Sequence, residues 1–270
     1  MSFALVLDNF RQMSDVQKRM TAAVVSGLIE PLTHPLDVMK TMIQQQEKPH
    51  SGTELMKQRF DCFKIMRSQG IRGFYAGVWQ KFIGVPPMRI VFWTSLCTFS
   101  EWTSQYQNKF AKNILPGMMA GGVQTIVDSP MDRIKIMLIN AMSQKKSTKT
   151  NYFVGLYNGF SACMCRNVGF AGTLSLMTTT MDKTGLNTIQ SGMIGGLLGS
   201  LWTQPFDVIK TIQQSQTNGP KKNMLQIAVE LYKTDGFTRM MVGYEFRALM
   251  GMANMGIGFF VFQFVKQVLA

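Results

Sequence analysis

Charged residues are scarce in this chain of 270 residues, at 16% of the total, whereas hydrophobic residues make up 46%. Soluble domains carry about 25% charged residues, so this balance predicts that much of the surface meets an apolar environment. The charge that is present is mostly of one sign, with a net value of +13. Such an excess favours anionic partners, namely nucleic acids, lipid headgroups or small anions, and charge alone does not choose among them.

Histidine and cysteine are also rare, and their scarcity excludes several kinds of chemistry. The only histidines are His34 and His50, and the four cysteines lack the paired spacing of a zinc site. Cys163 and Cys165 lie among apolar residues, so two small buried side chains are the simpler interpretation. The sequence shows no nucleophile–base set and no phosphate-binding glycine loop. We therefore expect neither an enzyme nor a bound metal or cofactor.

A motif of the form Pro-x-Asp-x-x-Lys occurs three times. The copies are "PLDVMK" at 35–40, "PMDRIK" at 130–135 and "PFDVIK" at 205–210. Each copy follows roughly twenty largely apolar residues and precedes a polar interval. Each interval ends in an aromatic-x-Gly pattern at Gly77, Gly159 or Gly243, although Met241 replaces the aromatic residue in the third copy. Self-similarity of this kind is the signature of a repeated architecture.

Long runs with few charges follow each of these glycines, at 78–99, 160–181 and 244–265. Together with the runs before the motifs they make six candidate spans, and a membrane-crossing helix needs about 20 mostly apolar residues. The basic residues within the later runs are Lys81, Arg89, Arg166 and Arg247. Basic residues at membrane depth normally face a bundle interior or a water-filled cavity.

This pattern predicts an all-α membrane protein with six transmembrane helices around a central cavity. We expect one domain made of three two-helix repeats, at about 12–104, 110–183 and 187–270. A large soluble helical bundle would leave the three matched motifs as a coincidence. A nucleic-acid-binding module would explain the charge but not the six apolar runs.

Two of the polar intervals contain amphipathic segments. The segment 54–69 places five apolar residues on one helical face, and the segment 223–235 shows a similar amphipathic pattern. The five residues are Leu55, Met56, Phe60, Phe63 and Met66. We predict helices at the membrane surface that join the two spans of a repeat. The second interval is shorter, so we predict that it lacks this helix.

The proline, the acid and the lysine of each motif suggest a mechanical role. A proline within a helix removes a backbone hydrogen bond and kinks the helix, so Pro35, Pro130 and Pro205 are predicted to lean three helices together. The acid and the lysine of each motif lie almost one turn apart near that meeting point. Three such sets can pair between repeats, and breaking a buried pair costs about 3–5 kcal/mol. We therefore predict a gate that closes one side of the cavity.

These repeats and motifs resemble the mitochondrial carrier family over essentially the whole chain. The resemblance implies a multi-pass carrier that works by alternating access in the mitochondrial inner membrane, of its own cell or of a host. We expect a monomer without nucleic-acid partners, with cardiolipin among its lipids near Gly73 and Gly192.

The resemblance also implies a matrix-side gate and its braces. The implied gate pairs Asp37 with Lys135, Asp132 with Lys210 and Asp207 with Lys40. Bracing glutamines are implied at Gln44 and Gln214, whereas Ile139 stands at the third brace position.

The family also has a gate toward the intermembrane space, and this sequence departs from the family's pattern there. The corresponding residues are Cys97 and Ser100, Thr179 and Asp182, and Gln263 and Lys266, so no acid–base pair is intact. We hypothesise a weak outer gate that favours the outward-open state.

The resemblance places the substrate contacts seven residues after the three glycines, at Gly84, Arg166 and Met250. Arg166 followed by Asn167 resembles carriers of keto acids, dicarboxylates and tricarboxylates, but Gly84 and Met250 are not the further arginines of such carriers. A guanidinium holds a carboxylate or phosphate in a bidentate fork, which makes Arg166 the first candidate. Lys81, Arg247 and Arg89 are the other candidate cations.

Two interpretations of the substrate remain open. Trp79, Trp202 and Tyr244 are candidates for stacking on an adenine, and scattered cations suit a large anion, so a nucleotide of the ATP/ADP type is slightly favoured over a carboxylate. For Arg89 and Arg247 a purely structural role is the alternative, in which they pair with Glu30 or Glu245 or extend to the membrane interface. A degenerate carrier fold that serves as a non-transporting adaptor is the rival function, because the second repeat is short and the outer gate is eroded.

Overall fold

The computed structural model describes residues 30–45, 52–144, 155–184, 187–216 and 222–268, and every regular element in these ranges is helical. A short 3₁₀ helix at Glu30–Thr33 leads into the first α-helix. The α-helices in chain order are α1 (His34–Gln45), α2 (Gly52–Ser68), α3 (Ile71–Phe74), α4 (Val78–Thr103), α5 (Lys109–Gln144), α6 (Phe160–Thr184), α7 (Thr188–Ser215), α8 (Met224–Asp235), α9 (Phe237–Met240) and α10 (Tyr244–Val268).

The long helices form a closed ring. Helix α4 packs on α5, α5 on α6, α6 on α7, α7 on α10 and α10 on α1, and α4 returns to the 3₁₀ helix that precedes α1. The three helices that carry the proline motifs, α1, α5 and α7, also contact one another. The all-α architecture predicted from the repeats is therefore confirmed, and its motif-bearing helices converge.

The prolines lie where each motif-bearing helix enters this meeting point. Pro35 is the second residue of α1, whereas α5 and α7 continue as helices through Pro130 and Pro205. Proline has no amide hydrogen, so the carbonyl four residues earlier lacks its helical donor. At Pro130 that carbonyl belongs to Ile126, and it accepts a hydrogen bond of 3.4 Å from the Tyr157 hydroxyl. The aromatic residue of the aromatic-x-Gly pattern in the second repeat therefore bonds to the helical turn that precedes Pro130.

The residue before the proline links the two halves of a repeat in the other two copies. His34 Nε2 donates to the carbonyl of Ala76 at 2.8 Å, and Gln204 Nε2 donates to the carbonyl of Val242 at 2.8 Å. Both acceptors directly precede the glycine of the aromatic-x-Gly pattern. These bonds fix the start of the second helix of the repeat against the proline of the first.

The three glycines of that pattern adopt a left-handed backbone. Their φ angles are +78° at Gly77, +80° at Gly159 and +77° at Gly243. Residues with a Cβ atom are strained in this region. In each repeat the glycine lets the chain turn directly into α4, α6 or α10.

Neighbouring helices approach closely where glycines face backbone. A methyl group on Gly121 of α5 would lie 2.7 Å from the carbonyl oxygen of Asn167 in α6, and one on Gly196 of α7 would collide with the carbonyl of Gly251 in α10. Gly121 and Gly196 both stand nine residues before the proline of their repeat. Small residues at such crossings allow close backbone packing between membrane helices.

The two predicted surface helices are present as α2 and α8, but the predicted apolar face of α2 is only partly correct. Met66 is buried with Cys62 against apolar residues of α1. Met56 and Phe60 are instead 72% and 67% exposed. The helix packs through a narrower side than the pattern suggested, because apolar residues at a membrane surface need no protein cover. The predicted absence of such a helix in the second repeat falls on residues outside the described ranges.

Among the described helices, one stretch passes a test of length and apolar composition for crossing a membrane, Ile71–Thr103. Helix α5 is longer, but Asp128, Asp132, Arg133 and Lys135 lie within it and lower its average hydropathy. Three of these side chains face the central cavity described below. Charges that line a cavity make a helix less apolar overall than one that meets lipid on most sides.

Candidate functional site

Three ion pairs close the region where α1, α5 and α7 meet. Lys40 Nζ lies 2.6 Å from Asp207 Oδ2, Lys135 Nζ lies 3.2 Å from Asp37 Oδ2, and Lys210 pairs with Asp132. All six side chains are buried. Each pair joins the motif of one repeat to the motif of another, which is the set of pairs that the family resemblance implies. We refer to these six residues as the gate network.

The two candidate braces differ in what they contact. Gln44 Nε2 donates to Asp207 Oδ2 at 3.2 Å, and Gln44 Oε1 accepts from Thr211 at 2.8 Å. Gln214 Nε2 instead donates to the carbonyl of Ser129 at 3.3 Å. The interpretation of Gln214 as a brace of an ion pair therefore needs correction, because its amide bonds to backbone. Ile139 at the third position is fully buried in an apolar cluster.

A second tier of cations contacts the same aspartates from the cavity side. Lys81 Nζ lies 3.2 Å from Asp37 Oδ2, and Arg247 Nη1 lies 3.4 Å from Asp207 Oδ1. Arg166 Nη1 lies 3.2 Å from Asp132 Oδ2 and 3.4 Å from Asp207 Oδ1. Each gate aspartate is therefore shared between a gate lysine and a cavity cation. Helix offsets in the sequence do not reveal this sharing, since it depends on side chains that cross between helices.

Arg166 is held by a further acid that the sequence analysis did not select. Its Nη2 pairs with Asp128 and donates to Asn167 Oδ1 at 2.8 Å, while Asn167 Nδ2 donates to Asp128 Oδ2 at 2.9 Å. The available signal was an acid in an apolar run, two residues before Pro130. Asp128, Asp132 and Cys163 bring ligand-type atoms within 4.8 Å of one another. Arg166 already pairs with both of these carboxylates, so the cluster is an ion-pair site and does not suit a metal.

The cavity between the helices has a volume of about 240 Å³. Six of the predicted substrate-contact residues line it, namely Lys81, Gly84, Arg166, Asn167, Arg247 and Met250. Arg89 is not among the lining residues, so its role as a substrate contact stays a prediction. It lies one helical turn beyond Val85, which does line the cavity.

The aromatic candidates for stacking on a base lie away from the cavity. Trp79 and Trp202 are 74% and 57% exposed, and neither they nor Tyr244 line the cavity. Trp202 packs against Phe206 at the periphery. Such positions suit side chains at a membrane interface, so the prediction that these rings bind an adenine is not supported.

The alternative partners considered for Arg247 are also replaced by the structure. Arg247 pairs with Asp207, and its Nη2 donates to Thr203 Oγ1 at 2.6 Å. Glu245 pairs instead with Arg59 of α2. Arg247 is therefore a cavity residue and does not reach the interface.

At the opposite end of the cavity, the first pair of outer-gate positions makes only a local contact. The Ser100 hydroxyl donates to the carbonyl of Cys97 at 3.0 Å within α4. The side chains at 179, 182, 263 and 266 lie outside the described part of the chain. The hypothesis of a weak outer gate stays a prediction.

Comparisons with known proteins agree with this arrangement. The sequence profile described as "Mitochondrial carrier protein" matches the chain in three segments, residues 12–107, 106–187 and 181–270. The chain is similar to the probable mitochondrial 2-oxodicarboxylate carrier of Schizosaccharomyces pombe, with 31% identity over 83% of this chain and 84% of that protein. It is also similar to mitochondrial citrate transporter D of Aspergillus niger, with 27% identity over 83% of this chain and 84% of that protein. The human electrogenic aspartate/glutamate antiporter shows 28% identity over 74% of this chain and 33% of that longer protein.

Proposed function

The chain belongs to the mitochondrial carrier family, and we propose that it carries small dicarboxylates across the mitochondrial inner membrane by alternating access. As a member of this family it is a multi-pass transporter of that membrane and not an enzyme. The observation that carries the proposal is the charge of the cavity. Lys81, Arg166 and Arg247 converge there from three different helices.

The balance of charge suits a dianion. Among the described residues of the cavity and the gate network, six side chains are basic and four are acidic, an excess of two positive charges. The basic side chains are Lys40, Lys81, Lys135, Lys210, Arg166 and Arg247, and the acidic ones are Asp37, Asp128, Asp132 and Asp207. Unpaired charge away from bulk water is costly. A solute with two carboxylates supplies the two missing negative charges.

The size of the cavity also favours a small acid over a nucleotide. A volume of about 240 Å³ lies below the range of about 300–1,000 Å³ that holds drug-sized ligands. The aromatic rings that would stack on a base lie outside the cavity, and the relatives named above carry oxodicarboxylate, citrate or aspartate and glutamate in their names. The earlier preference for a nucleotide therefore gives way to the carboxylate interpretation of Arg166 and Asn167.

The shared aspartates suggest how solute binding opens the gate. A bound dicarboxylate competes with Asp37 and Asp207 for Lys81 and Arg247, because the same cations serve both. As the solute takes these cations, the aspartates lose part of their electrostatic support. The closed network becomes easier to separate only when a solute occupies the cavity, which couples binding to the change of access.

Uptake into liposomes that contain the purified protein tests the proposal. We expect uptake of labelled 2-oxoglutarate and little uptake of labelled ATP. Arg166→Ala removes the guanidinium that faces three carboxylates, and we expect it to abolish 2-oxoglutarate uptake. Thermal unfolding of the variant in detergent establishes whether it is folded.

The matched control is Arg67→Ala, which removes an exposed arginine from the last turn of α2. This variant should transport like the parent protein. Uptake of ATP in place of 2-oxoglutarate would overturn the proposal, and uptake of neither solute would favour the non-transporting adaptor.

A further inference from the structure

Asp128 breaks the pattern of the repeats at one level of the cavity. It stands two residues before Pro130, and the same position in the other repeats holds Thr33 and Thr203. The threonines bond through their hydroxyl groups, Thr33 to Asn254 at 2.9 Å and Thr203 to Arg247 at 2.6 Å. In the second repeat a carboxylate therefore takes the place of the neutral hydroxyl found in the first and third repeats.

Asp128 is a buried charge whose cationic partner, among the residues that the structure describes, is Arg166. The side chain is 11% exposed, pairs with Arg166 and accepts a hydrogen bond of 2.9 Å from Asn167. It belongs to the cavity lining but not to the gate network, whose three aspartates and three lysines balance one another. Its negative charge therefore counts directly against the three cavity cations.

We propose that Asp128 determines the charge of the solute that this carrier accepts. Lys81, Arg166 and Arg247 alone would present three positive charges, and Asp128 reduces the excess to two. A dianion then neutralises the cavity, whereas a trianion leaves one negative charge without a partner. The inference rests on the proposed function and specifies how the same site tells dicarboxylates from tricarboxylates.

The physical basis is the weak screening of charges inside a protein. Interactions between charges are several times stronger in a protein environment than in water, and an uncompensated charge is correspondingly costly. Selectivity is a difference of affinities, and an acid that repels the wrong solute contributes to it as much as the cations that attract the right one. Asp128 is such a repulsive element for a third carboxylate.

A role limited to positioning Arg166 makes a different prediction. If Asp128 only oriented the guanidinium, its loss would slow the uptake of all carboxylates in similar proportion. If it sets the charge, its loss changes the ratio between a tricarboxylate and a dicarboxylate. The ratio of initial uptake rates for labelled citrate and labelled 2-oxoglutarate is therefore the measurement that separates the two roles.

The test uses Asp128→Thr, which introduces the residue found at this position in the other repeats, in the full chain reconstituted in liposomes. We expect the ratio of citrate to 2-oxoglutarate uptake to rise about tenfold. Thr203→Asp in the same chain places a carboxylate beside Arg247 and restores the excess of two charges. The double variant Asp128→Thr/Thr203→Asp should return the ratio toward that of the parent protein.

Asp128→Asn is the second variant, because it keeps the shape of the side chain and guards against misfolding of Asp128→Thr. An unchanged ratio in both single variants overturns the inference, and so does a raised ratio that the double variant fails to lower. The proposed function fails separately, if the parent protein takes up no 2-oxoglutarate at all.

Discussion

Asp207 shows at the scale of a single residue how the site is built. It is 1% exposed and meets Lys40 at 2.6 Å, Arg247 and Arg166 at 3.4 Å each, and the amide of Gln44 at 3.2 Å. A buried carboxylate needs partners of this kind, because its charge would otherwise be unpaired away from water. The partners belong to three helices other than its own, α1, α6 and α10, so this one side chain holds four elements together.

Asp207 has three cationic partners, so removing this aspartate should lower the free energy of unfolding more than removing one of the cations. Asp207→Asn leaves one lysine and two arginines without this carboxylate, and we expect it to destabilise the protein by about 3–5 kcal/mol. Lys40→Gln leaves Asp207 with two arginines, so its cost should be clearly smaller. Thermal unfolding of both variants in one detergent makes the comparison. Equal melting temperatures, or a lower one for Lys40→Gln, would contradict the shared network.

At the scale of the elements, close helix packing depends on glycines that the repeats place at equivalent positions. Helices α7 and α10 meet where Gly196 approaches the carbonyl of Gly251. Helices α5 and α6 meet in the same way at Gly121 and Asn167. These contacts set the distance across which Arg166 and Arg247 reach the aspartates of the neighbouring helices.

A methyl group on Gly196 should therefore separate α7 from α10. We expect Gly196→Ala to lower the melting temperature and to reduce transport, because the new Cβ atom collides with backbone that has no rotamer to change. The matched control is Gly122→Ala in α5, whose new Cβ atom would lie 3.7 Å from its nearest neighbours, Met164 and Val168. Alanine is the better helix former by about 1 kcal/mol, so this control should be neutral or stabilising. Similar destabilisation in both variants would count against the packing argument.

The helices and their order were the features that the sequence predicted best. Three copies of one motif at equivalent positions indicated the helices and their order, and the resemblance to the mitochondrial carrier family implied the pairs of the gate network. The buried side of α2 was harder, because apolar residues such as Met56 and Phe60 remain outside in a membrane-surface helix.

The candidate site was predictable only where the repeats extend to it. The family resemblance placed Arg166 at a substrate contact, and the repeats placed Lys81 and Arg247 at one equivalent position. Arg89, by contrast, has no basic counterpart in the other repeats and is not part of the lining. Asp128 was not selected because it has no acidic counterpart in the other repeats. Its importance depends on the side-chain contact with Arg166, which sequence spacing does not specify.

The whole molecule is closed at the gate network and lacks a matching set of charges at the first outer-gate position. Ser100 bonds within its own helix to Cys97. We propose that the energy balance between the two access states rests mainly on the gate network, with little opposing contribution from the outer end.

Restoring an acid and a base at these positions should shift that balance. We expect Cys97→Glu with Ser100→Lys to favour the state that is closed on the outer side, and therefore to raise hydrogen exchange in the motif segments 35–40, 130–135 and 205–210. The control is the reversed pair, Cys97→Lys with Ser100→Glu, which adds the same charges in the other order. Unchanged exchange in the first variant would remove the support for a weak outer gate.

The charge of the loaded carrier is the central claim at this scale. A dianion in a cavity with two excess positive charges makes a neutral complex, and a neutral complex gains no energy from the membrane potential. A single unit of charge, by contrast, gains about 2.3 kcal/mol per 100 mV. The loaded Asp128→Thr variant should carry one positive charge and serves as the responsive control.

The most direct measurement is the rate of 2-oxoglutarate exchange in liposomes, with and without an imposed potential of about 100 mV. The account predicts the same rate for the parent protein under both conditions and a potential-dependent rate for Asp128→Thr. A parent rate that changes with the potential would show that the loaded cavity carries net charge, which contradicts the match between two excess positive charges and a dicarboxylate.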